Sequence, residues 1–142
     1  MATIILALIE NTEQAFLVEQ CLTDAGHHVQ IASTFVKAKA LLKANSYDLI
    51  VTDVYLENGG SVFDFLKWAK SQPRLKSIPF ILFSLEPSAL ALYLSHGVQT
   101  TARLLGAARY ITMKKFDPEL LRRTIDELLP DADRPVGVKV DK

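Results

Sequence analysis

The chain has 142 residues, and its 16 lysines and arginines balance its 16 aspartates and glutamates, so the formal net charge is zero. Hydrophobic residues make up 49% of the chain, which excludes a disordered protein and suits one domain with its own core. The charge balance gives no global attraction to nucleic acid or to anionic membranes, and we expect neither as a partner. Cys21 is the single cysteine, which excludes an internal disulfide and is compatible with the cytoplasmic location that we expect.

The first half of the chain alternates short apolar runs with amphipathic segments. Strands are predicted at residues 3–9, 28–32 and 47–52, the last ending at Asp53. A first helix begins near Asn11 or Thr12 and ends at Gly26, and a second is capped by Ser33 or Thr34. The buried stripe predicted for the first helix comprises Leu17, Val18, Cys21, Leu22 and Ala25.

The second half continues the alternation. A third helix is predicted at residues 62–70, strands at 78–84 and 107–112, and a last helix starting at Asp117 and Pro118. Residues 88–105 form a long helical region that Gly97 is able to divide. Residues 89–94 are apolar on every face, which suits either a partner or dimer surface or a helix buried beneath the residues that follow.

Alternating strands and helices predict an α/β fold, with a five-stranded parallel sheet covered by helices on both faces. The domain is expected to span residues 1–129, and residues 130–142 read as a C-terminal tail or linker. In such a sheet the carboxyl ends of the strands lie along one edge. The residues expected to converge there are Glu10, Asn11, Asp53, Ser84 and Lys114.

Asp53 ends an apolar run, and taken alone it is more typical of a residue that starts a turn or caps a helix. The convergence of the other strand ends changes this interpretation. An aspartate can act as a nucleophile toward a phosphoryl group and form an acyl phosphate. Such a transfer requires a cation such as Mg²⁺, and it profits from a hydroxyl and an amine that neutralise the product.

With these residues, the chain resembles the receiver domain of two-component response regulators over roughly residues 3–129. Each matching segment is weak singly, and their order and spacing carry the resemblance. The segments are Ile9-Glu10-Asn11, Asp48-Leu49-Ile50-Val51-Thr52-Asp53, Phe63-Asp64-Phe65-Leu66-Lys67, Ile78-Pro79-Phe80-Ile81-Leu82-Phe83-Ser84, Gly106-Ala107-Ala108-Arg109-Tyr110 and Lys114-Lys115-Phe116.

The resemblance implies a flavodoxin-like fold of five βα units and a role for each matched residue. Asp53 would be the phosphoacceptor, Ser84 the switch hydroxyl, Lys114 the lysine of the site, and Tyr110 the aromatic residue whose rotamer reports the state of Ser84. The implied Mg²⁺ ligands are Glu10, Asn11, Asp53 and the backbone carbonyl of Tyr55.

The resemblance also implies partners and an activity. A histidine kinase or a phosphotransfer protein would donate the phosphoryl group, and a downstream protein would read the result. A homodimer through the face formed by residues 88–129 is a further expectation. Such a protein is a signalling module and not an enzyme, and at most it catalyses its own phosphorylation and dephosphorylation.

The sequence departs from the family pattern around Asp53. Asn11 stands where the second acid of a pair is usual, and Gly59 and Gly60 belong to a loop that lacks the usual proline. Lys114 comes one residue late, so it could miss the pocket, or a β-bulge could restore its position. Counting Glu10, Asp53 and Lys114, the pocket charge is −2 + 1 = −1, so Mg²⁺ is expected to bind more weakly than with an aspartate at position 11.

Two other readings stay open at this point. The chain could be a pseudo-receiver, an interaction module that keeps the fold without being phosphorylated. It could also be a flavodoxin-like cofactor binder, although the segment after the first strand, Asn11-Thr12-Glu13, lacks the glycine of a phosphate-binding loop. A DNA-binding role has little support, because no recognition-helix unit follows the predicted receiver.

Overall fold

The computed structural model describes residues 3–54 and 61–129. The predicted alternation of strands and helices is confirmed in this part of the chain, and none of its helices is long and apolar enough to cross a membrane. The elements are β1 (Ile4–Leu8), α1 (Thr12–Asp24), β2 (His28–Ala32), α2 (Phe35–Ala44), β3 (Leu49–Asp53), α3 (Val62–Lys70), β4 (Phe80–Leu85), α4 (Ala89–Leu104), β5 (Arg109–Met113) and α5 (Pro118–Leu128).

The five strands form one parallel sheet in the order β2-β1-β3-β4-β5. The chain starts in β1, moves to the edge strand β2, and then crosses back to β3 before continuing outward. The direction of winding therefore reverses between β1 and β3. In open α/β sheets, the crevice outside the carboxyl ends of the strands at this reversal is the usual ligand site. The topology thus places the residues after β1 and at the end of β3 beside that crevice.

The sheet is covered on both faces by helices. One hydrophobic layer contains side chains of α2, α3 and α4, and the other contains side chains of α1 and α5. β3 shows how one strand supplies both layers, since Leu49 and Val51 pack with α1 and α5 while Ile50 packs with α2 to α4. Because β3 is buried on both faces, its sequence reads as a continuous apolar run, as expected for a central parallel strand.

The buried stripe of α1 differs in part from the predicted one. Val18, Cys21 and Leu22 are buried as predicted, but Leu17 is 40% exposed and Ala25 is also exposed. Ala15 is buried instead, because the helix turns a stripe of i, i+3 and i+7 positions toward the sheet. Ala25 is the C-cap, one residue past the end of the helix.

The fourth helix is continuous, so Gly97 does not divide it. A Cβ atom on Gly97 would meet nothing within 4 Å, which places this residue on an open surface. Glycine in a helix costs only about 0.5–1 kcal/mol relative to alanine, which the surrounding turns tolerate. Tyr93 is 83% exposed and Leu94 is 45% exposed, so burial of this stretch beneath the following residues is wrong for these two side chains.

Several strand boundaries move by one or two residues from the predicted positions. β5 was predicted to begin at Ala107, but the Ala107 N–H donates to the carbonyl of Ala102 and so belongs to the end of α4. Gly106 makes this reversal possible, since its φ of +106° lies in the left-handed region that glycine adopts without strain. β4 begins at Phe80 because Pro79 has no N–H to offer the ladder.

Lys70 of α3 contacts the segment before β4, the first residue of β4 and the turn between α4 and β5. Its Nζ donates to the carbonyls of Lys76 and Ile78, both at 3.1 Å, and lies 5.2 Å from the ring centroid of Phe80. A Cβ atom on Gly106 would come within 3.2 Å of Lys70 Cε, so the stem of the lysine packs against the turn between α4 and β5. Burial lowers the pKa of the Lys70 ammonium group.

Lys70→Met is expected to lower the free energy of unfolding by about 1–2 kcal/mol, because it keeps the apolar stem but leaves the two carbonyls without their donor. Denaturant unfolding followed by circular dichroism measures this change. Lys67→Met is the matched control, since Lys67 lies in the same helix, is 62% exposed and, among the described residues, forms an ion pair only with Asp64, at 4.0 Å. Equal losses in the two variants would show that the contacts of Lys70 contribute nothing specific.

Candidate functional site

A cleft of about 590 Å³ opens at the carboxyl edge of the sheet, between the amino ends of α1 and α4. Four of the five residues predicted to converge line it, namely Glu10, Asn11, Asp53 and Ser84. The other described lining residues belong to α1, to the end of β4 and the segment after it, and to α4: Gln14, Leu85, Glu86, Pro87, Ser88, Ala91 and Leu94. The topology rule therefore brings these four residues into one cleft from three separate strands.

Asp53 is the last residue of β3 and stands opposite Phe83 of β4 in the parallel register. Its neighbours in sequence are fixed in the core, with Thr52 0% exposed and Val54 8% exposed. The Asp53 side chain itself is half-buried and reaches the cleft. A carboxylate is thus presented at the mouth of the cleft by a central strand that hydrogen-bonds to strands on both sides.

Asn11 both caps α1 and lines the cleft. It is the N-cap of α1, and its Oδ1 accepts a hydrogen bond of 2.9 Å from the backbone N–H of Gln14. The same side chain is exposed and lines the cleft next to Glu10. The amide oxygen that would ligate a metal therefore already serves as a helix cap, which reduces what Asn11 can offer a cation.

Ser84 lies one residue before the end of β4 and is 3% exposed. Parallel pairing sets it opposite Thr112 of β5. It lines the same cleft as Asp53, which belongs to the adjacent strand β3. A hydroxyl from one strand and a carboxylate from its neighbour therefore line a common space.

Lys114 is the predicted site residue that is not found among the described residues lining the cleft. The pairing of β4 with β5 runs without interruption from Ile81 to Leu85, which lies opposite Met113, so the bulge that would have shifted Lys114 inward is absent from this ladder. Met113 is 3% exposed and packs with α1 and α5, whereas Lys114 follows it and is exposed. The structure therefore does not compensate for the extra residue before Lys114.

Glu86 is a lining residue that the sequence reasoning missed. It directly follows β4, and its backbone N–H donates to the carbonyl of Met113 at 2.7 Å. Its φ of 53° is unusual for a residue other than glycine and marks local strain next to the cleft. Among the described residues that line the cleft, Glu10, Asp53 and Glu86 carry a formal charge of −3, whereas the predicted −1 counted Lys114 and omitted Glu86. The only feature of the sequence that pointed to Glu86 was its position two residues after Ser84.

Tyr110, the predicted switch aromatic, is half-buried against the layer of α2 to α4, and its hydroxyl oxygen is shielded from solvent. It pairs with Leu82, two residues before Ser84, so Tyr110 and the residue opposite Ser84 lie on the same face of β5. Tyr110 lines a second pocket, between α4 and β5, and is not among the residues that line the Asp53 cleft.

The carboxylates of Glu10 and Asp53 suit Mg²⁺, which usually takes one or two carboxylates and keeps several waters. Within residues 3–54 and 61–129, no group of three or more His, Cys, Asp or Glu side chains is arranged to hold a metal ion. The predicted backbone ligand Tyr55 lies outside the described residues, as do the loop with Gly59 and Gly60 and the tail 130–142.

No family model matches the sequence, and no curated protein matches it either. Solved structures do match. The chemotaxis response regulator CheY4 of Vibrio cholerae is 23% identical, with a TM-score of 0.76 over 90% of this chain and 99% of that one. The signal receiver domain of a histidine kinase from Syntrophus aciditrophicus is 24% identical, with a TM-score of 0.75 over 94% of this chain and 95% of that one.

A third similar structure is the receiver domain of the sensor histidine kinase PA1611 from Pseudomonas aeruginosa, which has a magnesium ion coordinated in its active site cleft. It is 20% identical, with a TM-score of 0.75 over 92% of this chain and 100% of that domain. At these identities the likeness concerns the fold, and the strand order and the two helical layers agree with it. The chain therefore has the five-stranded, flavodoxin-like fold of response regulator receiver domains.

Proposed function

We propose that this protein is a receiver that accepts a phosphoryl group on Asp53 from a histidine kinase or phosphotransfer protein. The observation that carries the proposal is the shared cleft of Asp53 and Ser84 at the winding reversal of the sheet. The receiver-like fold supports it further. The signal would leave the protein through contacts with a downstream protein, and a cytoplasmic location belongs to the same proposal.

In the proposed transfer, an Asp53 carboxylate oxygen attacks the phosphorus of the donor. The bond between phosphorus and the donor nitrogen breaks, an acyl phosphate forms on Asp53, and the leaving imidazole takes up a proton. The Ser84 hydroxyl would donate a hydrogen bond to a phosphoryl oxygen and thereby stabilise the negative charge of the product. Hydrolysis of the acyl phosphate would return Asp53 to its free carboxylate.

Glu10, Asp53 and the Asn11 amide are the described residues that would hold Mg²⁺, with Tyr55 as a further proposed ligand through its carbonyl. When bound, the ion supplies positive charge next to the phosphoryl oxygens. The need for it is increased here by the formal charge of −3 on the lining residues, because a phosphodonor is itself an anion.

The direct test is the intact mass of the protein after incubation with Mg²⁺ and a small phosphodonor such as acetyl phosphate. Wild type is expected to gain one phosphoryl group, whereas Asp53→Asn is expected to gain none because the amide is not a nucleophile toward phosphorus. Chelation of the metal should suppress the gain. An unmodified wild type, under conditions in which an ordinary receiver is modified, would refute the proposal, and so would equal modification of Asp53→Asn.

The alternative is a pseudo-receiver that binds partners without being phosphorylated. It is favoured by the exposed position of Lys114 and by the helix-capping role of Asn11, which leave the cleft poorer in cation-binding and charge-neutralising groups. Lys114→Ala tests, in the same mass experiment, whether Lys114 contributes to phosphorylation of Asp53. If the lysine acts from outside the cleft, its loss lowers the phosphoryl yield, and if it plays no part the yield stays at the wild-type level.

A further inference from the structure

A pocket of about 200 Å³ lies at the amino edge of the sheet, where α2 ends before β3 and the segment after α3 leads into β4. The buried Leu42 and Leu75 line it together with Pro73 and the half-buried Trp68, so much of its surface is apolar. Sites for small molecules usually enclose about 300–1,000 Å³. This smaller pocket therefore suits a single apolar side chain better than a cofactor.

Among the described residues, those that carry charge at this pocket are all basic. Lys43 and Arg74 line it, and Lys39 Nζ lies 5.1 Å from the ring centroid of Trp68. None of the three cations forms an ion pair with a residue in the part of the chain that the structure describes. Together they give a local formal charge of +3 in a chain whose net charge is zero. The pocket is therefore an apolar depression with a positively charged rim.

Local contacts hold these cations in place and leave them able to bind an anion. Arg74 Nη2 donates to the carbonyl of Leu42, and its Nη1 donates to the carbonyl of Asn45 at 3.5 Å. A guanidinium has further N–H donors in the same plane, and they match the oxygens of a carboxylate. Lys43 is exposed in the last turn of α2, where the helix dipole favours a cation. These contacts explain where the cations lie, and an anionic partner is still to be supplied.

We propose that this pocket binds an acidic segment of a partner protein. One apolar side chain of the segment would enter the pocket beside Trp68, and Asp or Glu side chains next to it would pair with Lys43 and Arg74. The charge of the rim selects an acidic partner. The apolar interior, which fits one side chain, favours such a segment over a polyanion that has no apolar side chain to insert.

This inference goes beyond the proposed phosphorylation and does not depend on it. The pocket lies at the amino edge of the sheet, whereas Asp53 ends β3 at the carboxyl edge. The five residues of β3 separate the two edges by roughly 15 Å. Binding at the pocket is therefore expected to be the same in wild type and in Asp53→Asn.

Trp68 reports directly on this pocket, because it is the only tryptophan in the chain. The probe is a short peptide of one leucine flanked by glutamates. Its two reference peptides have glutamine in place of glutamate, or serine in place of leucine. At low salt the glutamate-leucine peptide is expected to shift Trp68 emission saturably toward the blue, because the leucine displaces water from the indole. Each reference peptide is expected to bind roughly tenfold more weakly.

Lys43→Glu is expected to weaken binding of the glutamate-leucine peptide by about tenfold, because it replaces an attraction at the rim with a repulsion. The matched control is Lys37→Glu, since Lys37 is exposed on the same helix and does not line the pocket. The control is expected to change the affinity by less than about twofold. Thermal melts establish that each variant is folded, and Lys43→Gln repeats the comparison without a negative charge at the helix end.

Trp68 emission that stays unchanged up to ~1 mM glutamate-leucine peptide overturns the inference. Equal affinity for either reference peptide, or equal losses in Lys43→Glu and Lys37→Glu, also overturns it. Tighter binding of duplex DNA, or of vesicles that contain phosphatidylglycerol, overturns it in favour of those polyanions. A dimer that light scattering detects without peptide, and that Lys43→Glu dissociates, overturns it in favour of a second copy of the chain.

Discussion

Asn11→Asp is expected to tighten Mg²⁺ binding at the Asp53 cleft by about tenfold or more. The substitution adds a carboxylate beside Glu10, on a wall that Asn11 already lines. A unit charge about 4 Å from a monovalent cation gains ~4 kcal/mol at an effective dielectric near 20, and desolvation removes part of that gain. The helix start should survive, because aspartate caps helices as well as asparagine does and can still accept from the Gln14 N–H.

Calorimetric titration with Mg²⁺ measures the affinity, and the Mg²⁺ dependence of the phosphoryl mass gain provides a second readout. Asn11→Ser is the matched control, since serine keeps the cap of α1 without adding charge. It is expected to bind Mg²⁺ no more tightly than wild type. If Asp and Ser variants bind the ion equally, position 11 acts only as a helix cap and the electrostatic argument is wrong.

The largest loss of stability is expected for Phe65→Ala, at about 3–5 kcal/mol. Phe65 is 1% exposed and is central to an aromatic cluster. Its ring centroid lies 5.2 Å from that of Phe35, 6.0 Å from that of Trp68 and 5.9 Å from that of Phe80. These contacts join α2, α3 and β4, so truncation leaves a cavity where three elements meet. Guanidinium unfolding followed by circular dichroism measures the loss.

Phe16→Ala is the control for this prediction, because Phe16 is 61% exposed on α1. Its truncation is expected to change the free energy of unfolding by no more than about 0.5 kcal/mol. Because both variants replace phenylalanine with alanine, the comparison tests the effect of burial. Comparable losses in the two variants would mean that the packing around Phe65 does not stabilise the protein as the ring distances indicate.

The elements that the sequence predicted to the residue are those with strong local signals. α3 at Val62–Lys70 and β2 at His28–Ala32 have the predicted bounds. α5 begins at Pro118 after the Asp117 cap, as the local sequence indicates. Caps, prolines and apolar periodicity act within a few residues, so they can be recognised from the sequence alone. The parallel sheet with helices on both faces was also predicted correctly, since alternating strands and helices allow few arrangements.

Other features differ from what the local signals indicate. Ala107 is outside β5 because its N–H bonds to the carbonyl of Ala102 in the turn at Gly106, and α4 runs through Gly97 without a break. Neither outcome follows from local propensity, which gives tendencies that tertiary contacts override. Tertiary contacts also decide which face of α1 is buried, since Ala15 packs toward the sheet and Leu17 remains 40% exposed.

At the candidate site, the sequence by itself determined that Glu10, Asn11, Asp53 and Ser84 share one cleft, because parallel strands end at a common edge. Only the tertiary structure decided which side chains complete it. The unbroken register of β4 and β5 places Met113 in the core and leaves Lys114 exposed, and Glu86, whose φ of 53° lies in the left-handed region, joins the residues that line the cleft. Topology can be inferred from the alternation of elements, whereas register and backbone dihedral angles are set by pairing with neighbouring strands.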